Sequence, residues 1–281
     1  MSKKLIIAAA LTGAWPTKSM SPYVPMTPDE IAADAVACVK AGASMLHIHV
    51  RDDNEKGSMD TERFKAAYYA VTKALDEAGL DAVINLTTSG QSGVSDETRM
   101  AHLIALKPEM CSFDAGSMNW GANVFMNSPA FLEKLCHCVL ENDIKPEIEV
   151  FNGSMMVNAA AYVKKGLLKQ PTHYQFVLGG AGAMEGTVHN LNFFRNMLPE
   201  GSTWSVTGVG KAHLPMLLAA LAMDADGVRV GLEDNLYYAH GQLATNAQLV
   251  ERAATLGRLA GREPATAAEA RELLGITRRH S

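Results

Sequence analysis

The chain is predicted to fold as an α/β protein, a (β/α)8 TIM barrel in a single domain over residues 1–281, with a short extra helix at its C-terminal end. Three observations predict it. Eight short β-rich runs recur along the chain, each followed by a helical pattern. A strand–helix unit repeated eight times closes naturally on itself. The glycine fingerprint that usually follows the first strand of a doubly wound open sheet is missing. The 281 residues suit one such barrel, and Pro, Gly and Ser are scattered with no linker, repeat or low-complexity segment.

The first run, "LIIAAALTG" at 5–13, follows two lysines and so superficially resembles an export leader. It is short and passes into "TGAWPTK", which fits a buried first strand better. A helix is predicted over 28–41, where "TPDE" supplies an N-cap, a proline at the first helical position and acids in the first turn. "MLHIHVR" at 45–51 is the second strand and 61–78 the second helix. "AVINLTTSG" at 82–90 precedes a helix at 96–106, "MCSFDAG" at 110–116 one at 128–142, and "PEIEVFN" at 146–152 one at 154–166. "HYQFVLGG" at 173–180, "TWSVTGVG" at 203–210 and "GVRVGLED" at 227–234 are followed by helices at 188–197, 212–223 and 242–260. The extra helix is near 266–274, where "TAAEARELLG" has a cap and a closing glycine.

Hydrophobic residues make up 48% and charged residues 20%, ordinary for a globular protein with a large core. The net charge of −5 argues against a nucleic-acid binder, which needs a basic face. No stretch reads as a membrane span or export signal, so a cytoplasmic protein is expected. Cys38, Cys111, Cys136 and Cys138 are expected to be reduced core residues. Cys136 and Cys138 lie two apart on a helix and face different directions.

Barrel active sites lie at the C-terminal strand ends. Side chains alternate along a strand, so His47 and His49 share one face at the end of the second run. A lone histidine there would be a hydrogen-bonded core residue, but a pair converges on one point and suits a metal. In the eighth run the same period puts Arg229, Gly231 and Glu233 on one face, and the second and eighth strands flank the first. Glu233 is therefore the expected third ligand, with a salt bridge to Arg229 at the rim as its competing role. His, His and carboxylate with open positions is the donor set of catalytic zinc, and also suits ferrous iron or manganese.

Other strand ends are polar: Thr87, Thr88 and Ser89; Asp114, Ser117 and Asn119; and Glu147 and Glu149, on one face with Phe151. Carboxylates inside a barrel need partners, through an ion-pair network or a catalytic role. The glycine-rich ends "LGGAGAMEG" and "TGVGKAH" are weak phosphate signals, because the second lacks P-loop spacing, and tight turns explain them as well.

Taken together, "TGAWPTK", "AGASMLHIHVRDD", "LTTSG", "PEMCSFDAGSMNWG", "EIEVFN", "WSVTGVGK" and "VRVGLEDNLYY" resemble the β-keto acid cleavage enzyme family over nearly the whole chain and in the right order. The resemblance implies a zinc-dependent barrel that condenses a β-keto acid with acetyl-CoA and cleaves the product to acetoacetate and a new acyl-CoA. It implies His47, His49 and Glu233 as zinc ligands, Asp234 as acid/base and Arg229 as the cation holding the reacting intermediate. It also implies Thr87 or Thr88 as a hydroxyl near the substrate and Glu147 or Glu149 as a supporting carboxylate. For Asp234 a capping role competes.

Trp15, Ser89, Gly90 and Asn119 are expected to bind substrate. Where the aminohexanoate-cleaving enzyme has an acid after "TGA", this chain has Trp15, which favours an apolar tail or a quaternary ammonium. The expected partners are the keto acid, acetyl-CoA and further copies of the chain in a dimer or tetramer, with neither nucleic acid nor membrane. Two alternatives are a metal-dependent amidohydrolase-like hydrolase and a noncatalytic small-molecule binding barrel.

Overall fold

Eight runs of small and branched apolar residues form parallel strands. They are β1 (Ile6–Ala10), β2 (Met45–Ile48), β3 (Val83–Leu86), β4 (Met110–Asp114), β5 (Lys145–Val150), β6 (His173–Leu178), β7 (Thr203–Gly208) and β8 (Gly227–Val230). They pair in chain order, and β8 closes the ring on β1 with Val228 beside Ile7 and Arg229 beside Ala8. This is the predicted TIM barrel. The computed structural model describes residues 3–278, so the ends of the predicted span 1–281 lie outside the described residues.

Helices α1 (Pro28–Ala41), α2 (Thr61–Glu77), α3 (Asp96–Leu106), α4 (Pro129–Glu141), α5 (Gly153–Lys164), α6 (Val188–Asn196), α7 (His213–Ala222) and α8 (Asn246–Leu259) surround the strands, and α9 (Ala267–Leu274) is the extra helix. Side-chain caps start all of them except α7, which grows from a 3-10 turn at Gly210–Ala212. At α1 the expected cap is a full capping box, Thr27 with Glu30, ahead of Pro28.

Strand alternation divides the core. Leu5, Ile7, Ala9, Leu46, Ile48, Ile84 and Leu86 belong to the apolar layer shared with the helices. Ile6, Ala8, Met45, Val83 and Met110 form a second cluster with Ala270 and Leu274 of α9. The short terminal helix thus plugs the N-terminal end of the barrel, leaving the C-terminal end as the open mouth. The four cysteines are free and buried.

Each predicted run outlasts its strand by two to four residues at its C-terminal end. The excess residues keep strand-like composition but have left the ladder to turn over the mouth. Val50–Arg51 leaves the barrel and pairs antiparallel with Gly57–Ser58. The helix predicted from 242 begins at Asn246, because Gln242–Leu243 pairs with Tyr237–Ala239. Among the described residues no helix is long and apolar enough to cross a membrane.

Candidate active site

β2 carries His47 to the mouth beside Ala10 of β1 and Asn85 of β3. His49 follows past the strand end, its ring centroid 5.1 Å from that of His47. Glu233 arrives differently from the expected alternation: β8 ends at Val230, and a turn carries the chain to Glu233 and Asp234. Gly231 opens that turn at φ +147°, where a Cβ would collide with the carbonyl of Ala10. Glu233 then stands with one carboxylate oxygen 3.3 Å from His49 Nε2 and the other 3.6 Å from His47 Nε2.

Arg229, buried below them, binds three carboxylates. It reaches Asp234 at 2.9 Å, Glu233 at 2.5 Å and Glu149 at 3.3 Å. The competing rim salt bridge to Arg229 is present on one Glu233 oxygen, while its Oε2 is buried without a hydrogen-bond partner, as is His49 Nε2, which leaves the ligand role open to it. Burial alone would raise the Glu233 pKa, but Arg229 and the two imidazoles hold it well below the usual carboxylate range. Burial holds His47 well below its usual range, so its imidazole is neutral and able to ligate. Burial raises Asp234 despite Arg229 beside it, and pushes Glu149 well up in the same way.

The donor set fits a metal ion. Nitrogen and oxygen ligands around a tetrahedral zinc lie about 3.3–3.4 Å apart, and the Glu233 oxygens and imidazole nitrogens are spaced close to that. Glu147, Glu149, Glu233 and Asp234 crowd around a single arginine, an arrangement that a bound dication would offset. His47 with Glu147 and Glu149 is a second grouping of metal-competent atoms, deeper in the barrel.

A cavity of about 410 Å³ opens above these groups. Its wall includes Trp15, His47, His49, Thr87, Ser89, Asp114, Glu149, Arg229, Glu233 and Asp234. Several expected residues lie elsewhere. Thr88 turns away to bond Ser112, and Glu147 sits deeper, held by Asn85 at 2.6 Å. Gly90 packs on Ser58 and Met59, behind the 50–58 hairpin, and Asn119 is exposed with its carbonyl against Gly182. The capping role weighed for Asp234 is absent: its carboxylate accepts from Arg229 and Thr207, and α8 is capped by Thr245.

The sequence reading missed the frame behind Glu233. Buried Arg51 donates to the carbonyls of Gly13 (2.7 Å) and Thr12 (3.1 Å). Gly13 lies at φ +64°, and a Cβ there would be 2.6 Å from Glu233 Cγ. Trp15 donates its indole N–H to the main-chain carbonyl of Glu233 at 2.6 Å, so it braces the turn as well as walling the cavity. Asn246, fully buried at the start of α8, accepts from Leu232 N and donates to Leu11 O. Arg51 lies within "HIHVRDD", but no spacing rule links it to residue 13.

Residues 4–276 match the family described as beta-keto acid cleavage enzyme. The chain belongs to that family. It is 41% identical over 278 residues to a 3-keto-5-aminohexanoate cleavage enzyme of Fusobacterium nucleatum subsp. nucleatum, covering 98% of this chain and 99% of the relative. It is 33% identical to a 3-dehydrocarnitine:acetyl-CoA trimethylamine transferase of Rhizobium meliloti over 99% of both chains. Among solved structures, a ternary complex of ObcA with a C4-CoA adduct and oxalate superposes with a TM-score of 0.79 at 22% identity, covering 91% of this chain and 68% of that one. That likeness shows the fold. In this member of the beta-keto acid cleavage enzyme family the cavity opens at the C-terminal mouth, where enzymatic barrels carry their active sites. The hydrolase alternative expects further histidine ligands from the middle strands, whereas His173 begins β6 and bonds Thr203 and Ser205.

Proposed function

We propose that this chain is a zinc-dependent enzyme that takes a β-keto acid and acetyl-CoA to acetoacetate and a new acyl-CoA. What supports this reading above all is the meeting of His47, His49 and Glu233 with the Arg229–Asp234 pair on one cavity wall. His47, His49 and Glu233 would hold the zinc, which when bound supplies Lewis acidity toward the keto and carboxylate oxygens of the substrate. Iron or manganese would suit the same donors less well.

Asp234 takes the proton from the carbon between keto and carboxylate groups, its raised pKa making it a stronger base than an ordinary carboxylate. Arg229, kept charged by its three carboxylates, orients Asp234 and balances negative charge as it develops. Thr87 offers a hydroxyl at the wall, with Ser89 beside it. Glu149 holds the far side of Arg229, while Glu147 and Thr88 support the wall from behind. The enolate carbon attacks the acetyl thioester and expels CoA thiolate. The thiolate then adds to the substrate's own keto carbon, and breaking the bond from that carbon to the central one releases acetoacetate, which takes the proton back, and leaves the acyl group on CoA, so atoms balance with no oxidant. The same reading makes the chain a single cytoplasmic domain that assembles as a dimer or tetramer, for which the exposed Leu214 and Leu218 of α7 offer an apolar face.

The test is to incubate the zinc-loaded protein with a β-keto acid and acetyl-CoA and to measure acetoacetate and the second acyl-CoA. Equimolar appearance of both is expected. Hydrolysis of acetyl-CoA alone, or no product with any keto acid, would remove the proposal.

A further inference from the structure

We propose that the aromatic side of the cavity is a tail site that selects β-keto acids with an uncharged, branched alkyl tail. This rests on the β-keto acid reading above and adds the substrate class. The observation behind it is a hairpin absent from the predicted elements: Met118–Trp120 pairs antiparallel with Asn123–Phe125 just after β4. The hairpin brings Trp120, Val124 and Phe125 to the cavity wall, which Phe151, Val177 and Val209 also line.

The three rings interlock edge to face. Trp120 and Phe125 stand 5.9 and 6.0 Å from Phe151, at interplanar angles of 89° and 77°. Phe151 lies two residues beyond Glu149, so the apolar side adjoins the Arg229 network. The hairpin is also seated. A Cβ at Gly180 would lie 2.8 Å from Trp120 Cη2, and one at Gly182 would collide with the carbonyl of Asn119. The glycine-rich stretch "LGGAGAMEG" therefore finds a use other than phosphate binding: it lets the hairpin close against the barrel.

Charge decides what such a site takes. The carboxylates on the wall are engaged: Asp114 by Ser89; Glu149 and Asp234 by Arg229; and Glu233 by Arg229 through one oxygen while its other faces the imidazole of His47. A primary ammonium entering the aromatic side would lose water and find no free carboxylate there, and a carboxylate tail would find no free cation. A quaternary ammonium needs no N–H partner, but four of the eight apolar wall residues, Ala14, Val124, Val177 and Val209, offer a cation no π face. A neutral branched tail loses nothing and gains burial.

Two matched pairs of acids test this on the zinc-loaded protein. 5-Methyl-3-oxohexanoate differs from 5-amino-3-oxohexanoate, and 5,5-dimethyl-3-oxohexanoate from 3-dehydrocarnitine, only by carbon for the charged nitrogen centre. Calorimetric titration without acetyl-CoA is expected to show the neutral member binding at least tenfold tighter in each pair. Trp120→Ala, and independently Gly180→Ala with the fold checked by melting, should shrink that ratio below threefold. A charged member binding as tightly, a ratio unchanged in both variants, or no binding of any acid overturns the inference. Acetoacetate formation from the same acids is scored separately. Binding in the expected order without acetoacetate sinks the cleavage reading and leaves the tail site standing, whereas turnover favouring the charged acids does the reverse.

Discussion

At the scale of single residues, Glu233 and Asp234 are neighbours in sequence with different surroundings. Both bind Arg229, but Glu233 also faces two imidazoles, whereas Asp234 also takes the Thr207 hydroxyl. Glu233→Gln should therefore lower zinc content sharply, as should His47→Ala and His49→Ala. Asp234→Asn should keep the zinc and lower turnover by about 10²–10⁴-fold, the usual worth of a positioned base. Elemental analysis beside steady-state rates separates the two, and full zinc in the double histidine variant would refute the ligand assignment. Gly13 offers a second check. Alanine there would be strained at φ +64° and would press on Glu233 Cγ. Gly13→Ala is expected to weaken zinc binding at least tenfold in a competition with a chelating dye. Unchanged affinity would mean that the loop after β1 does not brace the ligand.

At the scale of elements, α9 does more than extend the chain. Arg271 of α9 binds Glu109, wholly buried, at 2.6 Å and Asp81 at 2.6 Å. Removing it would leave the Glu109 carboxylate buried without its cation, a loss of about 3–5 kcal/mol by comparison with other broken buried pairs. Arg271→Ala should lower the denaturation midpoint accordingly; a loss below about 1 kcal/mol would show that this ion pair does not anchor α9 to the barrel. Between α1 and α8, Asp34 accepts from Asn246 at 2.5 Å. Burial raises its pKa to about 6 against that hydrogen bond and the charge of Lys18, from a reference of 3.8. Between those values the folded state holds a proton that the unfolded chain has lost, so this group's contribution falls as pH rises through about 4–6 and stays lost above. Asp34→Asn should remove that dependence and stabilise the protein at pH 7 by up to about 3 kcal/mol, from roughly two pKa units. Parallel urea titrations at pH 4 and pH 7 measure it, and an equal effect at both would exclude the cause.

For the whole molecule, the mouth gathers more buried carboxylates than cations, so metal binding and folding should be linked. A ligand that binds only the folded state at a hundredfold excess over its dissociation constant adds about 2.7 kcal/mol. Chelation should lower the melting temperature by several degrees, and zinc should restore it. A melting temperature indifferent to both would argue against a specific site.

The barrel was legible in the sequence because eight strand–helix alternations and their caps are local, and local pattern fixes which residues form each element. The pair His47 and His49 was legible for the same reason, two residues on one strand. Only the tertiary structure decided how Glu233 meets them, since it arrives through a turn at Gly231 and not by strand alternation. Only the structure separated Thr87 from Thr88 and Glu149 from Glu147, because one-residue and two-residue steps near a strand end differ in depth as well as in face. The frame of Arg51, Gly13, Trp15 and Asn246, and the hairpin seated on Gly180 and Gly182, join residues tens to hundreds of positions apart. Such contacts come from chain closure, and no periodicity in the sequence records them.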